Sequence, residues 1–116
     1  MTMDVEKYRT HHELMKAVEN ELNSRTDCRV FPNRTGATQR GGRYISFGLV
    51  KGGSDLIGWL TRGGVAVFLA IEIKVKKDTL KPAQKTFIDA VNNFGGIAGV
   101  CRSVEDARKL VGECLK

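Results

Sequence analysis

Residues 65–75, VAVFLAIEIKV, are the most constraining stretch of the chain. Rich in Val, Ile, Leu and Phe, the run reads as a central β-strand buried on both faces, where a carboxylate is normally excluded because desolvating it is costly. Glu72 and Lys74 nevertheless stand inside it. Side chains two apart on a strand point the same way, so Glu72 and Lys74 share one face, about 6–7 Å apart along the chain, while Ile71, Ile73 and Val75 share the other. Two accounts of the charge are open. In one, a Glu/Lys pair near a strand end is partly solvated and the lysine shields the carboxylate. In the other, a metal ion is the main partner of Glu72, and Lys74 is aimed at whatever the metal binds.

The chain has 116 residues, 41% hydrophobic and 28% charged, which suits one folded domain whose core needs no disulfide or metal staple. No apolar run reaches the roughly 18–20 residues of a membrane span, since the longest is broken at Glu72. The opening MTMDVEKYRTHH lacks the apolar segment of a signal peptide, so the expectation is a cytoplasmic protein with no membrane partner. Cys28, Cys101 and Cys114 are odd in number and show no C-x-x-C spacing, which fits neither a disulfide framework nor a zinc ribbon. They are expected as small buried residues in a reducing compartment. A formal net charge of +6 favours a polyanionic partner, because lysine and arginine gain affinity by displacing counterions from phosphate.

Periodicity around the central strand predicts the order α-β-β-β-β-α-β-α. Residues 4–24 are helical in pattern, with Tyr8, His11, Leu14, Met15, Val18 and Leu22 at three- and four-residue spacing. Adjacent His11 and His12 point about 100° apart on such a helix and do not form a two-ligand pair. Residues 28–34, CRVFPNR, read as a strand, with Pro32 marking an edge or a bulge. The segment TGATQRGG, residues 35–42, reads as a loop or hairpin tip, and residues 43–47 as a short strand. After Gly52-Gly53 a strand resumes over residues 55–60, and Arg62-Gly63-Gly64 turns the chain into the central strand. Pro82 suits the first turn of a helix that ends at Gly95-Gly96, with Ala83, Phe87, Ile88, Val91 and Phe94 as its buried stripe. Residues 97–102 form another apolar strand, and Ser103 caps a last helix carrying Ala107, Leu110, Val111 and Leu115. The strand–helix–strand succession predicts parallel pairing of the last two strands. The fold class is therefore α/β, a mixed central sheet flanked by helices, with no internal repeat or linker.

Asp55 opens a strand seventeen residues ahead of Glu72. If residues 55–60 and 65–75 form a hairpin, the two acids lie at corresponding ends of neighbouring strands and repel each other unless a cation sits between them. Oxygen ligands with room for water suit Mg²⁺ or Mn²⁺, whereas zinc favours histidine or thiolate. Such an ion polarises a phosphate and acidifies water, with Lys74 orienting that water or steadying phosphate charge. A capping aspartate after two glycines is the plainer account of Asp55.

Asp55, Glu72, Ile73 and Lys74 form the Asp, gap, Glu-x-Lys pattern of the PD-(D/E)XK nuclease superfamily, whose core is restriction-endonuclease-like. More specifically, GLVKGGSDLIGW, AVFLAIEIK, LKPAQKTFIDAV and GGIAGVCRSVEDA resemble the VRR-NUC branch, virus-type replication-repair nucleases that include small stand-alone phage members. The resemblance covers about residues 28–107 and implies a metal-dependent phosphodiesterase acting on DNA. It casts Asp55 and Glu72 as metal ligands, the Ile73 backbone carbonyl as a further ligand, Lys74 as catalytic lysine, and Gln84 as a helix residue that helps bind the site. Gln84 lies one turn ahead of Phe87 and Ile88 and so can face the sheet; a surface glutamine is its plainer reading. Ser54 stands where the superfamily name has proline, at a position that shapes the turn and ligates nothing. The family also has an acid on the first helix. Alignment puts it at Glu13, with Glu19 second, although a helical wheel sets Glu13 nearly opposite the apolar stripe, where a solvated glutamate is natural.

Arg34, Arg40, Arg43, Lys51, Lys76, Lys77, Lys81 and Lys85 flank these segments and are candidates for holding phosphates, or else are solvated surface charges. The rival class is a nucleic-acid-binding module, or a subunit of a replication or repair complex, that keeps the nuclease fold without cutting. Intact Asp55, Glu72, Lys74 and Gln84 argue against it. A small-molecule enzyme is disfavoured by the lack of a Gly-rich phosphate loop. The resemblance further implies a homodimer acting on branched DNA, with Tyr8 as a candidate interface residue, and a host-cytoplasmic location for a phage-encoded protein.

Overall fold

The computed structural model describes Tyr8, residues 10–34 and residues 36–112. Among them the order is α1 (His11–Asn23), β1 (Cys28–Pro32), β2 (Gly36–Arg40), β3 (Arg43–Phe47), β4 (Leu56–Arg62), β5 (Val65–Ile73), α2 (Pro82–Asn93), β6 (Ile97–Cys101) and α3 (Val104–Val111). The main sheet runs β1-β4-β5-β6. Strands β1, β4 and β5 pair antiparallel, and β5 pairs parallel with β6, giving the mixed sheet that the sequence pattern implied. The two-residue turn Gly63-Gly64 joins β4 to β5, with Arg62 opposite Val65. Pro32 ends the edge strand β1, where its missing N–H costs no ladder bond.

Alternation along β5 divides the molecule into layers. Leu69, Ile71 and Ile73 point to one face, where they join Leu56 and Leu60 of β4, the α1 stripe Leu14, Val18 and Leu22, and Val104, Ala107 and Val111 of α3. Ala70 points to the other face and packs with Ala98 and with Ile88 of α2, edged by Ile57, Phe87, Val91 and Val100. The first core is much the larger. Cys28 and Cys101 are free thiols buried in it, and burial raises their pKa values to about 11 and about 12. Cys114 and Leu115 lie outside the described residues. Among the described residues no helix is long and apolar enough to cross a membrane.

Several expectations need correction. Residues 36–40 are a strand, and β2 pairs with β3 in a separate two-stranded sheet, so the order contains one strand more than expected. This hairpin is built on backbone pairing and on the positive φ of Gly41 and Gly42, 59° and 77°, so its polar sequence carries no burial pattern to betray it. Helix α1 starts at His11, because Thr10 is its N-cap: the Thr10 hydroxyl accepts from the Glu13 N–H at 3.1 Å and donates to Glu13 Oε1 at 2.9 Å. Tyr8 therefore precedes the helix, and it is partly buried against the larger core. Phe94 is not part of the buried stripe of α2. It is the C-cap residue, and with the helix ended it is 91% exposed. Strand β5 stops at Ile73, two residues earlier than the apolar run suggests.

At the far end of the sheet, buried Asp27 accepts from Arg25 Nε at 2.8 Å and Arg62 Nη1 at 3.3 Å. The same two arginines donate to the Val111 and Gly112 carbonyls, which ties the end of α3 to β4 and satisfies acceptors that a helix C-terminus leaves open. Removing one partner of a buried ion pair typically costs 3–5 kcal/mol. Arg62 is partly solvated, so Asp27→Ala is expected to cost about 3 kcal/mol. The check is a lower urea midpoint with an unchanged slope.

Candidate active site

The segment before β4 is pinned from three sides. Gly52 has φ 85°, and a Cβ there would lie 2.4 Å from the Ala83 carbonyl oxygen, so only glycine lets the chain pass the first turn of α2. Asn33 fastens the same segment: its amide donates to the Ser54 carbonyl at 3.0 Å, its side-chain oxygen accepts from the Leu49 N–H at 3.4 Å, and its own N–H donates to the Asp55 carbonyl at 2.8 Å. Leu56 faces Ile71 across the β4–β5 ladder, and that register carried one residue further sets Asp55 opposite Glu72. Asp55 Oδ2 accepts from the Ile73 N–H at 2.8 Å and lies 3.1 Å from His11 Nε2.

Glu72 is 3% exposed, on the same face of β5 as Ala70, under the first turn of α2. Its Oε2 accepts from Gln84 Nε2 at 3.2 Å, and Lys74 Nζ stands 3.9 Å away. Gln84 Oε1 accepts in turn from the Lys81 N–H at 2.9 Å, so one amide caps α2 and holds the carboxylate. Glu72 Oε1 is buried with no hydrogen-bond partner. Burial, reinforced by the nearby Asp55 carboxyl, raises the pKa of Glu72 from 4.5 to about 8, with Lys74 pulling the other way. Two carboxyls held this close, one with an orphaned oxygen, fit a hard divalent cation in their donor chemistry. Among the described residues no three His, Cys, Asp or Glu side chains already surround a common metal position. Backbone oxygen, water or substrate would therefore have to complete a shell begun by Asp55 and Glu72.

Asp55, Glu72, Lys74 and Gln84 thus come together from three places in the sequence. Ile73 reaches this cluster through its N–H. Glu13 does not join them: it is exposed and engaged with Thr10, because the cap at Thr10 sets it on the first turn facing away from the sheet. Glu19 is half-buried and 3.8 Å from Lys16, with an Oε1 that has no hydrogen-bond partner. Arg34, Arg40, Arg43, Lys51, Lys76, Lys77 and Lys81 are exposed, and Lys85 is held by Asp89 at 2.9 Å. Two residues at the site had been passed over. The sequence places His11 on the stripe of the first helix and excludes it as half of a histidine pair; the Thr-x-x-Glu capping signature that makes it the first helical residue is the clue to its place at the site. Asn33 left no trace, since its partners are backbone groups distant in sequence.

A sheet covered by helices on both faces, with a carboxylate, a lysine two residues on and an aspartate from the antiparallel neighbour at one end, defines a restriction-endonuclease-like nuclease fold. The chain belongs to the VRR-NUC domain family, whose model matches residues 3–105, nearly the whole chain. No curated protein and no solved structure matches it.

The raised pKa of Glu72 has a thermodynamic consequence. Between pH 4.5 and about 8 the folded protein keeps a proton that the unfolded chain releases, so without metal this group's contribution to stability declines as pH rises through that window and levels off above it. Thermal unfolding in EDTA from pH 5 to 9 should show the decline, and Glu72→Gln should remove it and be the more stable protein at pH 8. Identical pH profiles for the two proteins would show that Glu72 is not held protonated.

Proposed function

We propose that this chain is a divalent-cation-dependent deoxyribonuclease that hydrolyses phosphodiester bonds, with a preference for branched DNA. The observation that carries the reading is the unpartnered, buried Oε1 of Glu72 beside Asp55, a pair that ordinary folding does not favour and a cation would stabilise. Asp55 and Glu72 would hold Mg²⁺ or Mn²⁺, with the Ile73 carbonyl as a backbone ligand. Bound there, the ion supplies Lewis acidity toward a phosphate oxygen and makes water a better nucleophile. Lys74, 3.9 Å from Glu72, brings an ammonium that orients water or offsets charge developing on the phosphate. Gln84 keeps Glu72 turned so that one oxygen stays free.

Charge supports DNA as the substrate. Arg40 and Arg43 are exposed and directly opposite each other next to the turn of the β2–β3 hairpin. Like charges so placed repel unless an anion lies between them. With Arg34, Lys51, Lys76, Lys77 and Lys81 they form the phosphate-holding set of this reading, whereas Lys85 is partly neutralised by Asp89. On this reading Asp55→Asn or Glu72→Gln abolishes cleavage while DNA binding stays or strengthens, since each removes a ligand and a repelling charge together. Lys74→Met slows the chemical step by about a hundredfold or more while metal binding remains. Cleavage of linear, flapped and four-way DNA in Mg²⁺, Mn²⁺ or EDTA, run alongside filter binding, checks both. Binding without cutting in every metal condition would instead identify a non-cutting module.

Assembly as a two-fold homodimer belongs to the same reading, because cutting two strands of a junction needs two such sites. The surface offered for it is aromatic: Phe31, Trp59 and Phe68 are each more than two-fifths exposed, and the Phe31 and Trp59 rings lie 6.4 Å apart on the sheet face that also carries Glu72. Light scattering at micromolar concentration should give twice the chain mass, and four-way DNA should compete better than linear duplex. A monomer that cuts both equally would remove the dimer and leave the nuclease reading standing. The expected place of action is the cytoplasm.

A further inference from the structure

The larger helical layer contributes one side chain to the site, and it is not a carboxylate. Thr10 fixes the start of α1 through its two-way bond with Glu13, which makes His11 the first helical residue and occupies Glu13. His11 then reaches around the end of the sheet, and its Nε2 stands 3.1 Å from Asp55 Oδ2, the oxygen that also accepts from the Ile73 N–H. Neighbouring ligand atoms on an octahedral ion at 2.0–2.1 Å are necessarily about 3 Å apart. The separation of His11 Nε2 and Asp55 Oδ2 matches that spacing; the two do not yet surround a common point with Glu72, so side chains must turn for all three to reach one ion. The separation matches an Nε2–H···Oδ2 hydrogen bond equally well, so the two roles must be separated by measurement. His12, one residue on, is exposed and points about 100° away around the helix.

We infer that His11 is a nitrogen ligand of the cation held by Asp55 and Glu72, which makes the centre a mixed nitrogen–oxygen site that favours Mn²⁺ over Mg²⁺. The inference rests on the proposal that Asp55 and Glu72 bind a divalent ion. The preference follows from ligand character: a hard, oxygen-seeking ion such as Mg²⁺ gains little from imidazole, whereas first-row transition ions gain from nitrogen donors, Mn²⁺ least among them, so the bias over Mg²⁺ is modest and grows for the later ions. An imidazole in place of a third carboxylate also leaves the site one negative charge lower, which suits a polyanionic substrate.

The test needs no cleavage. Metal-free protein is titrated with Mn²⁺, free ion is followed by electron paramagnetic resonance, Mg²⁺ affinity is obtained by competition, and pulsed measurements read nitrogen coupling to the bound ion. The expected result is an imidazole nitrogen coupling in the wild type that persists in His12→Ala and is lost in His11→Ala. Mn²⁺ affinity should fall about tenfold or more in His11→Ala, and Mg²⁺ affinity less. His11→Asp should bind both ions without the nitrogen signal and with a lower Mn²⁺/Mg²⁺ ratio than the wild type. If the coupling is absent from the wild type, or survives in His11→Ala, while Asp55→Asn still loses Mn²⁺, the Asp55/Glu72 centre stands and His11 is only a hydrogen-bond partner. If Asp55→Asn binds Mn²⁺ as the wild type does, the centre falls, and the role of His11 falls with it.

Discussion

A carboxylate with one unpaired oxygen, sealed into the middle strand of the sheet, is the constraint around which the rest of this structure is arranged. Burying an isolated charge is expensive, and Glu72 meets that cost by giving one oxygen to Gln84 and Lys74 and by raising its pKa. What remains is a buried acid with one oxygen that accepts no hydrogen bond. Nothing in the packing requires it, because Ala70 beside it on the same face shows that a small apolar residue suits the layer under α2.

The two faces of the sheet divide the work. Leu14, Val18 and Leu22 of α1, with Val104, Ala107 and Val111 of α3, close over β4 and β5 and supply most of the buried apolar surface. That side sets the β4–β5 register, and the register sets Asp55 against Glu72; a slip by one residue would turn Glu72 into the large core. The opposite core is thin, and α2 covers it while lowering Gln84 onto Glu72. A rigid frame on one side and a partly uncovered face on the other is what a site for a long polymeric substrate needs.

How much of this was legible in the sequence depends on where each interaction lies. The central strand, the parallel last pair and the nearness of Asp55, Glu72 and Lys74 follow from period-two alternation, turn residues and the Glu-x-Lys pattern, all of which are local signals, whereas Gln84 is placed at the site by the family resemblance. The β2–β3 hairpin escaped because Thr38, Gln39 and Arg40 carry no apolar alternation, and its pairing is a backbone matter closed by Gly41-Gly42. Phe94 misled because hydrophobicity continued past the point where the helix stopped. Alignment sets the first-helix acid at Glu13, yet the cap at Thr10 occupies Glu13, and it is His11, itself exposed, that meets Asp55. Asn33 was invisible for another reason: its partners, Leu49, Ser54 and Asp55, are backbone groups sixteen or more residues away.

The orientation of one amide decides which oxygen of Glu72 is available. The Lys81 N–H has no proton acceptor of its own to offer, so the Gln84 atom 2.9 Å from it must be the carbonyl oxygen. The amide nitrogen of Gln84 is then the atom facing Glu72, and it can only donate. Oε2 is thereby committed as an acceptor from Gln84, with the Lys74 ammonium behind it. Oε1 is left as the oxygen that accepts no hydrogen bond. On the proposed reading that oxygen is the one a cation would meet. Helix capping thus fixes, through Gln84, which oxygen of Glu72 is left open.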